Sequence, residues 1–74
     1  MIIIDEIRGE AYTVFEKHGY QTLRRIDLAT GTLGLPTEIP RQFPHKIQIR
    51  NGIAYFLYKQ GSYDDTKRLY RLGL

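Results

Sequence analysis

The sequence predicts an all-β fold made of two similar antiparallel meanders. Short runs rich in Ile, Tyr, Phe, Leu and Thr alternate with Gly, Pro and Asn turn signals. No stretch sustains a helical apolar period over three turns. In addition, Arg8-Gly9-Glu10-Ala11-Tyr12-Thr13-Val14-Phe15 returns 43 residues later as Asn51-Gly52-Ile53-Ala54-Tyr55-Phe56-Leu57-Tyr58, a period that points to repeated architecture. The match extends outward, aligning Ile4 with Ile47 and Tyr20 with Tyr63. After a slip of three residues it aligns Leu23, Arg25 and Leu28 with Leu69, Arg71 and Leu74.

The first meander is expected as strands over about residues 2–7, 10–17, 21–28 and 32–38, with turns at Arg8-Gly9, His18-Gly19 and Ala29-Thr30-Gly31. Gly34 and Pro36 make the fourth strand a weak edge, because Pro donates no ladder hydrogen bond. Residues 39–44 form a Pro-rich crossover, since Pro40 and Pro44 remove donors and restrict the residues before them. The second meander follows as strands over about residues 45–50, 53–60 and 67–74. Asn51-Gly52 is its two-residue hairpin, residues 61–66 its loop, and a fourth strand is absent. The chain is therefore one unit of two repeats, about 1–38 and 45–74, joined by the crossover.

A chain of 74 residues buries only about 60–65% of its unfolded surface. With no cysteine it has neither disulfides nor thiolate metal sites. Self-association or a larger parent chain would make up the stability. The longest apolar run, Met1 to Ile4, is too short for a signal-peptide core or a bilayer span, so a soluble protein is expected, of unassigned compartment. The net charge of +3 is divided unevenly: residues 1–40 carry four basic and six acidic side chains, residues 41–74 seven and two. Either a surface for polyanions or mutual attraction of unlike halves would follow. The basic residues alternate with apolar ones and do not cluster, which favours the second.

In residues 53–58 both alternating faces are apolar, so this strand must be covered on both sides. A lone two-layer sandwich covers one face of each sheet, whereas radially stacked sheets cover both. Gly9-Glu10-Ala11-Tyr12 through Leu23-Arg24-Arg25-Ile26-Asp27-Leu28-Ala29-Thr30-Gly31, and Gly52-Ile53-Ala54-Tyr55 through Leu69-Tyr70-Arg71-Leu72, resemble consecutive blades of a β-propeller. The nearest kin are the six-bladed TolB-like and NHL-like families. The apolar-Asp-x-x-Thr-Gly turn is shared with many quinoprotein-type blades. The resemblance implies two β-meander blades, four strands plus three, which is fewer than the four to eight that close a ring. It further implies assembly of two to four copies, a trimer matching six blades, or completion by the rest of a longer propeller. The alternative fold is a small SH3-like or OB-like β-barrel.

No motif supports catalysis. There is no Gly-x-Ser-x-Gly elbow around Ser62, no phosphate-cradling Gly-rich loop, and no carboxylate pair that the sequence can place across a cleft. His18 and His45, the two imidazoles, make a poor zinc site without a carboxylate set or cysteines. Asp64-Asp65 lacks the alternating ladder that calcium requires. A non-enzymatic binding scaffold without metal or cofactor is therefore expected, with a small molecule, sugar or protein as ligand. By the resemblance, its ligand face would be the crossover and loop end: Arg41, Gln42, Phe43 and His45, with His18, Tyr20, Tyr63, Asp64 and Asp65. Nucleic acid ranks second. Tyr55, Phe56 and Tyr58 with Arg50 and Lys59 could form a stacking platform, but the aromatics alternate sides and read as core.

Overall fold

A computed structural model of the chain describes residues 1–59 and 67–74. Seven strands form two antiparallel sheets. The first orders β1 (Ile2–Asp5), β2 (Glu10–Lys17), β3 (Tyr20–Ile26) and β4 (Thr37–Glu38); the second orders β5 (Lys46–Arg50), β6 (Ile53–Lys59) and β7 (Lys67–Gly73). No helix among the described residues is long and apolar enough to cross a membrane. The all-β expectation holds, and so does the division into four strands and three. The expected loop at 61–66 lies outside the described residues.

Side chains that bond their own backbone set the boundaries that differ from expectation. β1 stops at Asp5, two residues early, because Asp5 Oδ1 accepts the N–H groups of Ile7 and Arg8 at 3.2 Å each, while the Gly9 N–H reaches the Asp5 carbonyl at 2.8 Å. Such a turn competes directly with the ladder. Asp27 does the same after β3, accepting from Ala29 at 2.9 Å and Thr30 at 3.3 Å. Gly31, at φ +75°, lets the chain reverse there. β4 shrinks to Thr37–Glu38, with a single bridge from Leu33 to Ile26 before Gly34 and Pro36.

The two sheets pair their strands in matching registers, with one difference from the sequence alignment. Ala11 pairs with Ile26 as Ala54 pairs with Leu72, and Val14 with Leu23 as Leu57 with Leu69. Leu23 and Arg25 thus correspond to Leu69 and Arg71, as the slip predicts. On the first strands, Ile4 faces Ala11 whereas Ile49 faces Ala54. Ile4 therefore corresponds to Ile49 and not to Ile47, because the first turn holds four residues and the second only Asn51 and Gly52. By the same register Asp5 corresponds to Arg50.

The two sheets stack face to back. Residues opposite one another in a ladder share a face, and faces alternate along each strand. Ile3, Tyr12, Val14 and Leu23 of the first sheet pack on Ile47, Ile49, Ala54, Phe56, Tyr58, Tyr70 and Leu72 of the second. The residues equivalent to Tyr12, Val14 and Leu23 are Tyr55, Leu57 and Leu69, which lie on the outer face of the second sheet. Ile39 of the crossover is buried in the same core. Phe56 and Leu23 are the largest fully buried apolar side chains, each contributing about 1.5–3 kcal/mol from burial. The backbones of the two sheets come closest between β1 and β5.

Asp5 joins the sheets. Its side chain is fully buried, and it accepts the Asn51 N–H at Oδ1 (2.8 Å) and the Gly52 N–H at Oδ2 (2.7 Å) in addition to its own turn. Burial alone would raise its pKa, but the donors of Gly52, Asn51, Arg8 and Ile7 together hold it below the ordinary 3.8. Gly52 adopts φ +75°, and a Cβ there would sit 2.5 Å from the Arg8 guanidinium carbon.

Asp5→Ala should lower the thermal midpoint by about 10 °C or more, because it strands buried N–H groups in both turns. Because the folded pKa is depressed, the stabilisation is complete well above pH 3.8 and is lost as pH falls through the folded value. Thermal melts between neutral pH and about pH 2 should show the wild-type midpoint falling toward that of the variant; parallel curves would remove Asp5 from this role. Gly52→Ala should cost about 1–2 kcal/mol through its left-handed backbone alone, measurable by denaturant unfolding.

Candidate functional site

The crossover end, expected to hold the ligand, is largely engaged in holding the sheets together. Gln42 Oε1 accepts the Gln21 N–H at 2.6 Å while its Nε2 donates to the Gln21 carbonyl at 3.0 Å, and Gln21 Oε1 accepts the Phe43 N–H at 3.0 Å. The Tyr58 hydroxyl accepts from the Arg41 N–H at 3.0 Å and donates to the Arg41 carbonyl at 2.6 Å. The Arg41 guanidinium lies over the Tyr58 ring, 5.4 Å from its centroid. Phe43 is exposed at φ 57°, and His18 turns the β2–β3 hairpin at φ 54° with half-exposed Tyr20 beside it. The structure thus brings Gln42 and Phe43 to the strand that carries Tyr20, and Arg41 to β6. Tyr63, Asp64 and Asp65 lie outside the described residues.

His45 belongs to a different neighbourhood. Its N–H donates to the Leu57 carbonyl at 2.7 Å, extending β5 by one residue beyond the ladder. Loss of hydration at the ring, then the charges of Lys59, Lys46 and Lys67, press its pKa below the ordinary value. Those three lysines all lie on the outer face of the second sheet.

Tracing that face through the register shows its character. Opposite residues form four rows: Lys59 and Lys67; Lys46, Leu57 and Leu69; Gln48, Tyr55 and Arg71; Arg50, Ile53 and Gly73. Five of these side chains are basic, and none is acidic. Lys46, Arg50, Lys59, Lys67 and Arg71 are exposed. Tyr55, Leu57 and Ile53 are half-buried, and Leu69 is 59% exposed. The Arg71 guanidinium lies 6.0 Å from the Tyr55 ring centroid. A hollow of about 200 Å³ opens at the centre, lined by Lys46, Gln48, Tyr55, Leu57 and Leu69. The face is therefore an apolar floor with cations at both ends and both flanks.

On the first sheet one pair of opposite charges meets. A depression of about 490 Å³ beside the β3–β4 turn holds Glu10 and Arg25, paired at 3.6 Å. Glu10 also accepts from the Tyr12 hydroxyl at 2.7 Å; burial, then this carboxylate, pushes the Tyr12 phenol up to about 12. Among the described residues no three His, Cys, Asp or Glu side chains come together as a metal site would need.

The basic face escapes a reading of charge along the chain, because its residues alternate with apolar ones that point the other way. Folding turns that alternation into segregation: Phe56 and Tyr58 enter the core, and Tyr55 stays outside with the cations. No protein-family model, curated protein or solved structure matches this chain.

Tyr58→Phe should destabilise by about 1 kcal/mol by removing both bonds to Arg41, and should speed amide exchange at Arg41 while leaving β6 protected. Unchanged exchange there would mean that the crossover is held by Ile39 and Gln42 alone.

Proposed function

We propose that this chain is a non-enzymatic interaction scaffold of two propeller-type blades that binds an acidic partner on the outer face of its second sheet. The observation that carries the proposal is the gathering, among the described residues, of five basic and no acidic side chains in the outward rows of that sheet, around the half-buried Tyr55 and Leu57 and the exposed Leu69. An uncompensated field of one sign raises the local concentration of oppositely charged partners and speeds their capture. The blade assignment rests on the face-to-back stacking of equivalent strands and on the closest approach at β1 and β5.

A ring of two to four copies is the second reading. Face-to-back stacking favours it, since the outer face of the first sheet carries exposed Ile2, Ile4 and Phe15, the counterparts of half-buried Ile47 and buried Ile49 and Tyr58. Two features oppose it. Arg50 stands where a continuing stack would need the acceptor supplied by Asp5, and the cations of the second sheet would meet Lys17 and Arg24, as well as Glu38, on the outer face of the first. The open-face reading therefore expects a monomer by light scattering over a concentration series; a stable closed ring would replace it.

Heparin, a soluble polyanion, tests the face directly. The wild type should be retained on a heparin column, and the double variant Lys46→Glu, Arg50→Glu should elute at roughly half the salt. Lys17→Glu with Arg24→Glu makes the same charge change on the first sheet and should elute close to wild type. Equal losses from the two double variants would reduce the effect to net charge and overturn the site.

A further inference from the structure

We infer that the acidic partner is a single-stranded nucleic acid, whose phosphates meet the rim of the face while a base enters the central hollow against Tyr55. This rests on the polyanion reading above and names its ligand. Three features favour this ligand over other polyanions.

The floor of the face is apolar and partly aromatic. A polyphosphate offers nothing to Tyr55, Leu57 and Leu69 and a heavily sulfated sugar only small C–H patches, whereas every nucleobase has a flat apolar face that gains by leaving water there. Arg71 already lies beside the Tyr55 ring, where its planar guanidinium can cover a base from the other side.

The hollow also offers a neutral hydrogen-bonding group. Gln48, exposed on its wall, carries both a donor and an acceptor, so it can pair with a base edge of either polarity. An ionised carboxylate, like a phosphate or sulfate oxygen, would use only the donor.

The cations surround the floor instead of forming one stripe. Lys59 and Lys67 stand at one end and Arg50 at the other, separated by the length of β6 from Ile53 to Lys59, about 20 Å at ~3.4 Å per residue. A single strand of roughly four nucleotides, the short end of known site sizes, would run from one end to the other with its bases turned inward. A duplex keeps its base faces stacked inside and would leave the apolar floor uncovered, with only the rim satisfied.

The test measures fluorescence anisotropy of a labelled oligothymidylate of about twelve nucleotides, the same sequence as duplex, and oligoglutamate as competitor. Wild type should bind the single strand more tightly than the duplex, with oligoglutamate a weak competitor. The affinity should fall with salt at a log–log slope no steeper than about −3.5, the limit for five phosphate contacts on a single strand. Tyr55→Leu should weaken oligothymidylate binding by about tenfold while leaving heparin retention unchanged, and Tyr55→Phe should restore it. Should Tyr55→Leu fold poorly, Leu69→Trp at its exposed position adds a stacking surface; oligothymidylate should bind it more tightly and quench its fluorescence. If heparin is retained but single strand, duplex and oligoglutamate bind alike, or if neither Tyr55→Leu nor Leu69→Trp changes oligonucleotide binding, this inference falls and the polyanion reading stands. If neither heparin nor oligonucleotide binds, both fall.

Discussion

The Asp5 carboxylate is the interaction on which the arrangement of the two sheets depends. Four backbone N–H groups converge on it, two from its own turn and two from the hairpin of the other sheet. A buried carboxylate would ordinarily be a liability. Here the donors are turn amides that would otherwise lose their hydrogen-bond partners when the sheets close, so one anion satisfies both turns at once. The bond also explains why the sheets meet closest at β1 and β5. Apolar contact between two sheets is non-directional and would tolerate sliding; a carboxylate threaded into a two-residue turn does not.

That same bond gives the stack a direction. The first sheet presents an acceptor, and the second receives it with the amides of Asn51 and Gly52. The position equivalent to Asp5 in the second sheet is Arg50, which can only donate. The contact that joins these two sheets is therefore not one the second sheet can offer to another neighbour in the same form. The second sheet keeps the strand pairing of the first, a small residue at Ala54 as at Ala11, and the tyrosine–arginine pair Tyr55/Arg71 as Tyr12/Arg25. It changes the residue that decides what comes next.

Strand content was legible because local pattern determines it. β2 lies where alternation and its flanking turns place it, and Asn51-Gly52 makes the tight hairpin that such a pair demands. The errors fall where a side chain competes with the ladder: Asp5 ends β1 early, Asp27 ends β3 early, and Gly34 and Pro36 reduce β4 to two residues. The misplaced partner of Ile4 has the same origin. A turn of four residues in one repeat and two in the other shifts the register by two, and sequence matching without a ladder sees only similar residues near similar places. The bonds of Gln21 with Gln42 and of Tyr58 with Arg41 span 21 and 17 residues, a separation at which no periodicity speaks. They also turn part of the expected ligand end into structural support.

The candidate site escaped for a related reason, and that reason bears on how charge should be read in β proteins. Alternation of basic and apolar residues along β5 and β6 argues against a basic cluster when read as a line. In a strand, alternation is the condition for one, because every second residue shares a face and the neighbouring strands bring their own second residues alongside. Lys46 and Arg50 are four residues apart in β5, and Arg71 comes from another strand, yet all three border the same apolar floor. Two acidic residues of the first half are engaged elsewhere, Asp5 with the turns and Glu10 with Tyr12 and Arg25, while Glu6 borders a depression at the Arg50 end of the face. The near balance of acidic and basic side chains over the whole chain thus conceals outward rows whose described charged residues are all basic.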